Sequence, residues 1–229
     1  MTTIDRSAKK LAFIAIATVI AFSGMAVVAW NLASVEHSAD GNHSTNFIVD
    51  CDYEKFRQIM VRKNATRAMI DQVGMKLIDE TMDDLQVDTS GDERPLLNAI
   101  RGKSKSDLSA VKRITVELND PAIDATELKL EQHADVGTES MMVETKSTAP
   151  AGNLKRYQTN LTARGDGVKT IVEVEVRIEV VVKVPKMFTE RADDEVQRSA
   201  KNAVEEQEKS LKAFVAEHAD QRLILPELK

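Results

Sequence analysis

Hydrophobic positions along the chain follow three different rhythms. From Leu11 to Trp30 they are continuous: LAFIAIATVIAFSGMAVVAW is 20 residues without a charge. At about 1.5 Å of rise per residue, a helix of this length spans roughly 30 Å, the thickness of a bilayer's hydrocarbon core. Its small residues Thr18, Ser23 and Gly24 suit a helix in lipid, and Trp30 falls where an interfacial aromatic belongs. The run therefore predicts a transmembrane helix over 11–30. Arg6, Lys9 and Lys10 precede it, whereas Glu36, Asp40, Asp50 and Asp52 follow before the next basic residue, Lys55. The positive-inside rule leaves residues 1–10 in the cytoplasm and the rest outside it. Val27 and Ala29 offer a cleavage site, so a secreted or periplasmic chain is the alternative. A run longer than the roughly 7–15 apolar residues of a signal peptide favours an uncleaved single-pass anchor in the cell membrane.

The polar stretch 31–45 (NLASVEHSADGNHST) reads as a linker, and 46–229 as one extracytoplasmic domain. Phe47-Ile48-Val49 suggests a short strand. Asp52 then caps a helix in which Phe56, Ile59 and Met60 recur at helical spacing. Met69, Val73 and Leu77, four apart, predict a second helix over about 65–84. DTSGDERP (88–95) is a loop, and Leu96 to Ile100 suit a short helix.

Beyond residue 112 the rhythm becomes two. Ile114, Val116 and Leu118 alternate, as do Leu128 and Leu130, and 140–147 and 154–163 are further strands. Arg164-Gly165-Asp166-Gly167 marks a hairpin turn. Every even position from Val172 to Val184 is Val or Ile, against Glu173, Glu175, Arg177, Glu179 and Lys183 on the other face. This is a strand with one dry and one wet face, about three times the usual length, which must twist and bend. After Pro185 a helix is expected over about 187–219, with Phe188, Ala192, Val196, Ala200, Val204, Leu211, Phe214 and Val215 in one stripe. That stripe needs a partner, and the dry face of the long strand supplies one. Leu223 to Pro226 suggest a terminal apolar clasp.

The predicted class is α+β: an N-terminal transmembrane helix, then a curved antiparallel sheet packed on a long C-terminal helix. The features that carry a likeness are FIVDCDYEKF (47–56), first strand into first helix, and GDGVKTIVEVEVRIEVVVKVPKMF (165–188) running into KSLKAFVAEHA (209–219). In this order of elements the chain resembles the START/Bet v 1 (SRPBCC) superfamily, the helix-grip fold. The resemblance covers about 46–219 and is topological. It implies a sheet wrapped round the last helix and a hydrophobic small molecule or lipid bound between them, or more rarely cyclase or hydrolase chemistry. It assigns no functional residue.

Composition narrows the chemistry. A net charge of −6 argues against nucleic acid as a partner, because phosphate binding needs surplus Lys and Arg. The single Cys51 excludes an internal disulfide and a cysteine-based zinc site; it is either buried at a strand end or free to bridge two chains. His37, His43, His133 and His218 are scattered, so no metal or other cofactor is expected. DTSGDE (88–93) lacks the spacing of a calcium loop and reads as a solvated turn. Neither G-x-S-x-G nor H-E-x-x-H occurs, and Glu173, Glu175 and Glu179 belong to a wet face that cannot raise a carboxyl pKa. No catalytic residue is assigned, and a non-enzymatic role is favoured. With only nine aromatic residues (six Phe, two Tyr, one Trp) and nine Met, a valine-rich concave face could leave volume for a ligand. The expected lining is Val172, Val174, Val176, Ile178, Val180, Val204 and Leu211. The alternative is the same fold with a filled core, a structural or interaction module of an envelope complex.

Overall fold

The computed structural model describes residues 33–63, 65–72, 75–94, 98, 105–118 and 122–221. The expected transmembrane helix at 11–30 and the clasp at 223–226 lie outside the described residues, as does the short helix expected over Leu96 to Ile100 except for residue 98. Among the described residues no helix is long and apolar enough to cross a membrane.

Seven strands form one antiparallel sheet: β1 (Ser34–Val49), β2 (Lys76–Asp88), β3 (Asp107–Glu117), β4 (Glu127–Val136), β5 (Ser140–Ser147), β6 (Leu154–Asp166) and β7 (Lys169–Pro185). Two short helices, α1 (Tyr53–Arg62) and α2 (Ala65–Gln72), join β1 to β2. A 3-10 turn (Lys186–Phe188) leads from β7 into α3 (Thr189–His218). The strand order is β1-β7-β6-β5-β4-β3-β2, so β1 crosses over to pair with the last strand while the other strands follow one another as hairpins.

Strand β7 organises this order. Its even positions Val172, Val174 and Val176 are fully buried, and the face they point to is covered by α3. Full burial contributes about 1.5 kcal/mol or more for each such side chain. Gly167, at φ 65°, makes the β6–β7 turn as its Asp-Gly signature predicts. Asp52 accepts a hydrogen bond from Lys55 N at 2.9 Å, capping α1 and satisfying an amide left free by the first helical turn.

Two sequence expectations are corrected. Residues 34–45 are not linker but most of β1, which pairs with β7 from Ser34↔Pro185 to Val49↔Thr170. A strand as long as β7 leaves a long row of backbone groups to satisfy on each side, and this polar segment satisfies one of them. The helix expected over 65–84 ends in α2, and β2 takes over at Lys76. Bulges between Leu77 and Asp79 and between Met82 and Asp84 break the strand rhythm there, leaving apolar residues at nearly helical spacing.

The interior divides into two apolar clusters. The larger joins Phe47, Phe56 and Ile59 to Val172, Val174, Val176, Val204, Leu211 and Phe214. The smaller gathers Ile70, Ile114, Val116, Leu128, Leu130 and Leu154 under α2, with Ile178 and Val180 packed against it.

Candidate functional site

Direct cross-strand partners share a face of the sheet. The register therefore runs one inward row from His43 on β1 through Val176, Thr159, Thr145 and Gln132 to Lys112 on β3. Five of these six side chains are polar, although Val176 marks the row as the dry side. The row lies between the two apolar clusters and forms a polar seam through the interior.

Gln132 and Thr145 are bonded to each other, and Gln132 and Lys112 each hold a partner outside the row. Thr66 of α2 donates to Gln132 Oε1 at 2.9 Å, and Gln132 Nε2 donates to Thr145 Oγ1 at 3.1 Å. Thr145 is buried. Lys112 Nζ donates to Glu80 Oε1 at 2.7 Å, with only 19% of each side chain exposed. One row further along β6, Tyr157 touches both clusters. Burial of its phenol pushes the pKa up to about 12, against a smaller downward pull from its hydrogen bond to the Gln207 side chain. Gln207 is itself a buried polar residue on α3. Burying amides, hydroxyls and an ion pair is unfavourable unless they are partnered, which explains the bonds but not why these residue types stand on the dry face. Chemically, the seam offers donors, acceptors and one charge pair to a polar group whose apolar remainder lies in the neighbouring clusters.

Of the seven residues expected to line a ligand space, Val176 belongs to this row and the other six lie beside it. Val172, Val174, Val176, Val204 and Leu211 come together in the larger cluster, each at 0% exposure. Ile178 and Val180 are partly buried beside the smaller one. A groove of about 570 Å³ lies elsewhere, at the β4–β5 hairpin end. Its lining includes the outward row Asn46, Glu173, Thr162, Met142 and Asp135, and none of the seven.

The remaining candidate groups are dispersed. On the wet face, Arg177 lies 2.7 Å from Glu175 and is the main cause holding its carboxyl below the usual range. His133 bonds to Glu131 on that face, and His218 to the Phe214 carbonyl oxygen, so the two do not converge. His37 meets Asp193 at 2.7 Å. Among the described residues no group of three or more His, Cys, Asp or Glu could hold a metal ion. Cys51 is half-buried, and burial pushes its thiol up to about 11, away from the reactive thiolate. Asp92 is a correction to the solvated turn. It is buried and accepts bonds from Arg94 N, Lys105 N and Asn98 Nδ2.

Among solved structures the chain is similar to several proteins. A START superfamily protein from Mycobacterium smegmatis is 14% identical with a TM-score of 0.45, over 77% of this chain and 97% of its own. Ara h 8.0201 is 10% identical with a TM-score of 0.43, over 78% and 99%. A truncated norcoclaurine synthase from Thalictrum flavum is 9% identical with a TM-score of 0.39, over 80% and 97%. No family model matches the sequence, and no curated protein matches it.

Proposed function

We propose that the domain binds an apolar molecule carrying one polar group, and that residues 11–30 hold it on the extracytoplasmic side of a membrane. The observation that carries the ligand reading is the polar seam from Thr159 to Lys112, set between two apolar clusters on the inward face. Such a seam matches an amphipathic molecule, with its polar group at Gln132, Thr145 and Lys112 and its apolar part alongside the clusters. The membrane reading rests on the uncharged run from Leu11 to Trp30 and the basic residues before it.

The test uses the full chain isolated in native lipid discs. Solvent extraction and mass spectrometry should find one class of apolar molecule enriched over the bulk lipid. Gln132→Leu with Thr145→Val should lose that enrichment several-fold. Extracts identical to the bulk lipid, together with failure to displace an apolar dye, would overturn the ligand reading. The five fully buried residues of the expected lining favour a second reading, a packed interior with function on the surface. Capture of a defined envelope protein by a chain that holds no ligand supports it.

A further inference from the structure

The rim of the domain where β1 starts and β7 ends carries apolar side chains in water. Met187 is 57% exposed, Phe188 39% and Val35 36%. The register draws them together: Ser34 pairs with Pro185 and Val35 with Val184, and Pro185 leads directly into the turn that holds Met187 and Phe188.

The chain enters the fold at this rim. Trp30 closes the uncharged run and Ser34 opens β1, so only residues 31–33 intervene. Four residue steps reach at most about 14 Å even when fully extended. The headgroup layer on each side of a bilayer is roughly 5–8 Å deep. A rim tethered that closely cannot stand clear of the membrane.

We infer that Val35, Met187 and Phe188 form a docking edge for the interfacial layer of a lipid bilayer, an inference that rests on the reading of 11–30 as a membrane span. The surrounding charges are balanced. Glu36 faces Lys183 across the strands, and Lys186 is followed by Glu190. Apolar insertion therefore drives the docking, and anionic lipid is not required. In this orientation α3 starts at the membrane and runs away from it. The smaller apolar cluster, with Leu154 opposite Val180 on the same half of β7, lies toward the lipid.

The full chain carrying Cys51→Ser and either Met187→Cys or Val168→Cys, labelled with an environment-sensitive dye, tests this in phosphatidylcholine vesicles. Val168 is 79% exposed at the opposite end of β7 and serves as the reference. With the vesicles floated, the label at position 187 should shift to the blue and lose most of its emission to a headgroup-region lipid quencher. The label at position 168 should do neither, and added phosphatidylglycerol should change neither result. A chain that floats with both labels unquenched overturns the docking edge while leaving the anchor intact. A chain that does not float overturns the anchor and the docking edge with it. Quenching at position 187 only when phosphatidylglycerol is present overturns the apolar basis of the contact.

Discussion

Gly41 of β1 lies directly beneath the backbone of α3 at Val196. A β-carbon there would stand 2.7 Å from the Val196 carbonyl carbon and closer still to its oxygen. The obstacle is backbone, which cannot swing aside. Beside it, Gln197 accepts from Asn42 N at 3.0 Å and donates to Asn42 O at 2.7 Å, pairing the open edge of β1 as a neighbouring strand would. Gly41→Ala must push the helix away and should cost about 1–3 kcal/mol, the usual range for overpacking. At roughly 2–4 °C per kcal/mol for a chain this size, a melting curve resolves the loss. Gly167→Ala meets nothing within 4 Å and should cost only the strain of its positive φ, about 1–2 kcal/mol. If Gly41→Ala melts with the wild-type chain, α3 does not sit on β1 this closely.

The two tyrosines report the fold in alkali. Burial is the first cause raising both: Tyr53 to about 12, and Tyr157 to about 12. Tyr53 also donates from its hydroxyl to Gly137 O at 3.0 Å, a bond that requires the protonated phenol. The folded state thus holds both protons more tightly than the unfolded chain, whose tyrosines ionise near their ordinary value of about 10. Their stabilising contribution is complete below that value and is lost as pH rises through about 12. Absorbance at 295 nm should stay flat past the ordinary tyrosine range, then rise together with the loss of circular dichroism. An early rise with the dichroism intact would show the phenols to be solvated.

What the chain discloses by itself depends on whether a neighbour is needed to give a residue its meaning. Strand β7 and helix α3 are legible because the alternation from Val172 to Val184 and the stripe through Val204 and Leu211 are local. Strand β1 is not. Its inward positions Ala39, Gly41, His43 and Thr45 are small or polar because the backbone of α3 passes close above, so no apolar rhythm survives. The one available clue was β7 itself, whose length demands partners equally long. Strand β2 is hidden by its two bulges. The seam is illegible for another reason. Lys112, Gln132, Thr145 and Thr159 lie on four strands, and only the register places them in one row. The solvated reading of DTSGDE missed Asp92 because its partners Asn98 and Lys105 lie further along the chain.

Asp92 should act as the acid-sensitive clamp of the β2–β3 connection. Desolvation acts to raise its pKa, but the bonds from Lys105 N, Arg94 N and Asn98 outweigh it and leave the carboxyl below the usual range. A lowered carboxylate pKa contributes stability above the unfolded value, and that contribution is lost as pH falls through the folded one. Asp92→Asn should therefore melt earlier than the wild-type chain at neutral pH, with the gap narrowing in acid. A gap that is constant with pH would mean the charge on Asp92 is not what holds the loop.

The pair of Lys112 and Glu80 separates a structural seam from a binding one. Their 2.7 Å contact lies where only 19% of each side chain meets water. Lys112→Met preserves the aliphatic stem but withdraws the ammonium from the Glu80 carboxylate. Breaking a fully buried pair costs about 3–5 kcal/mol, and partial exposure should reduce this to about 1–3 kcal/mol. Adding Glu80→Gln removes the carboxylate charge that Lys112 offset and should restore part of the loss. Urea unfolding of the four chains measures the coupling as a double-mutant cycle. A loss in the double variant equal to the sum of the two single losses would show that the two groups do not interact. The double variant then bears on function. If the seam receives the polar group of a ligand, a chain stable to urea but stripped of both charges should release the molecule that the wild-type chain retains. If the pair serves packing alone, retention should follow stability and return with it.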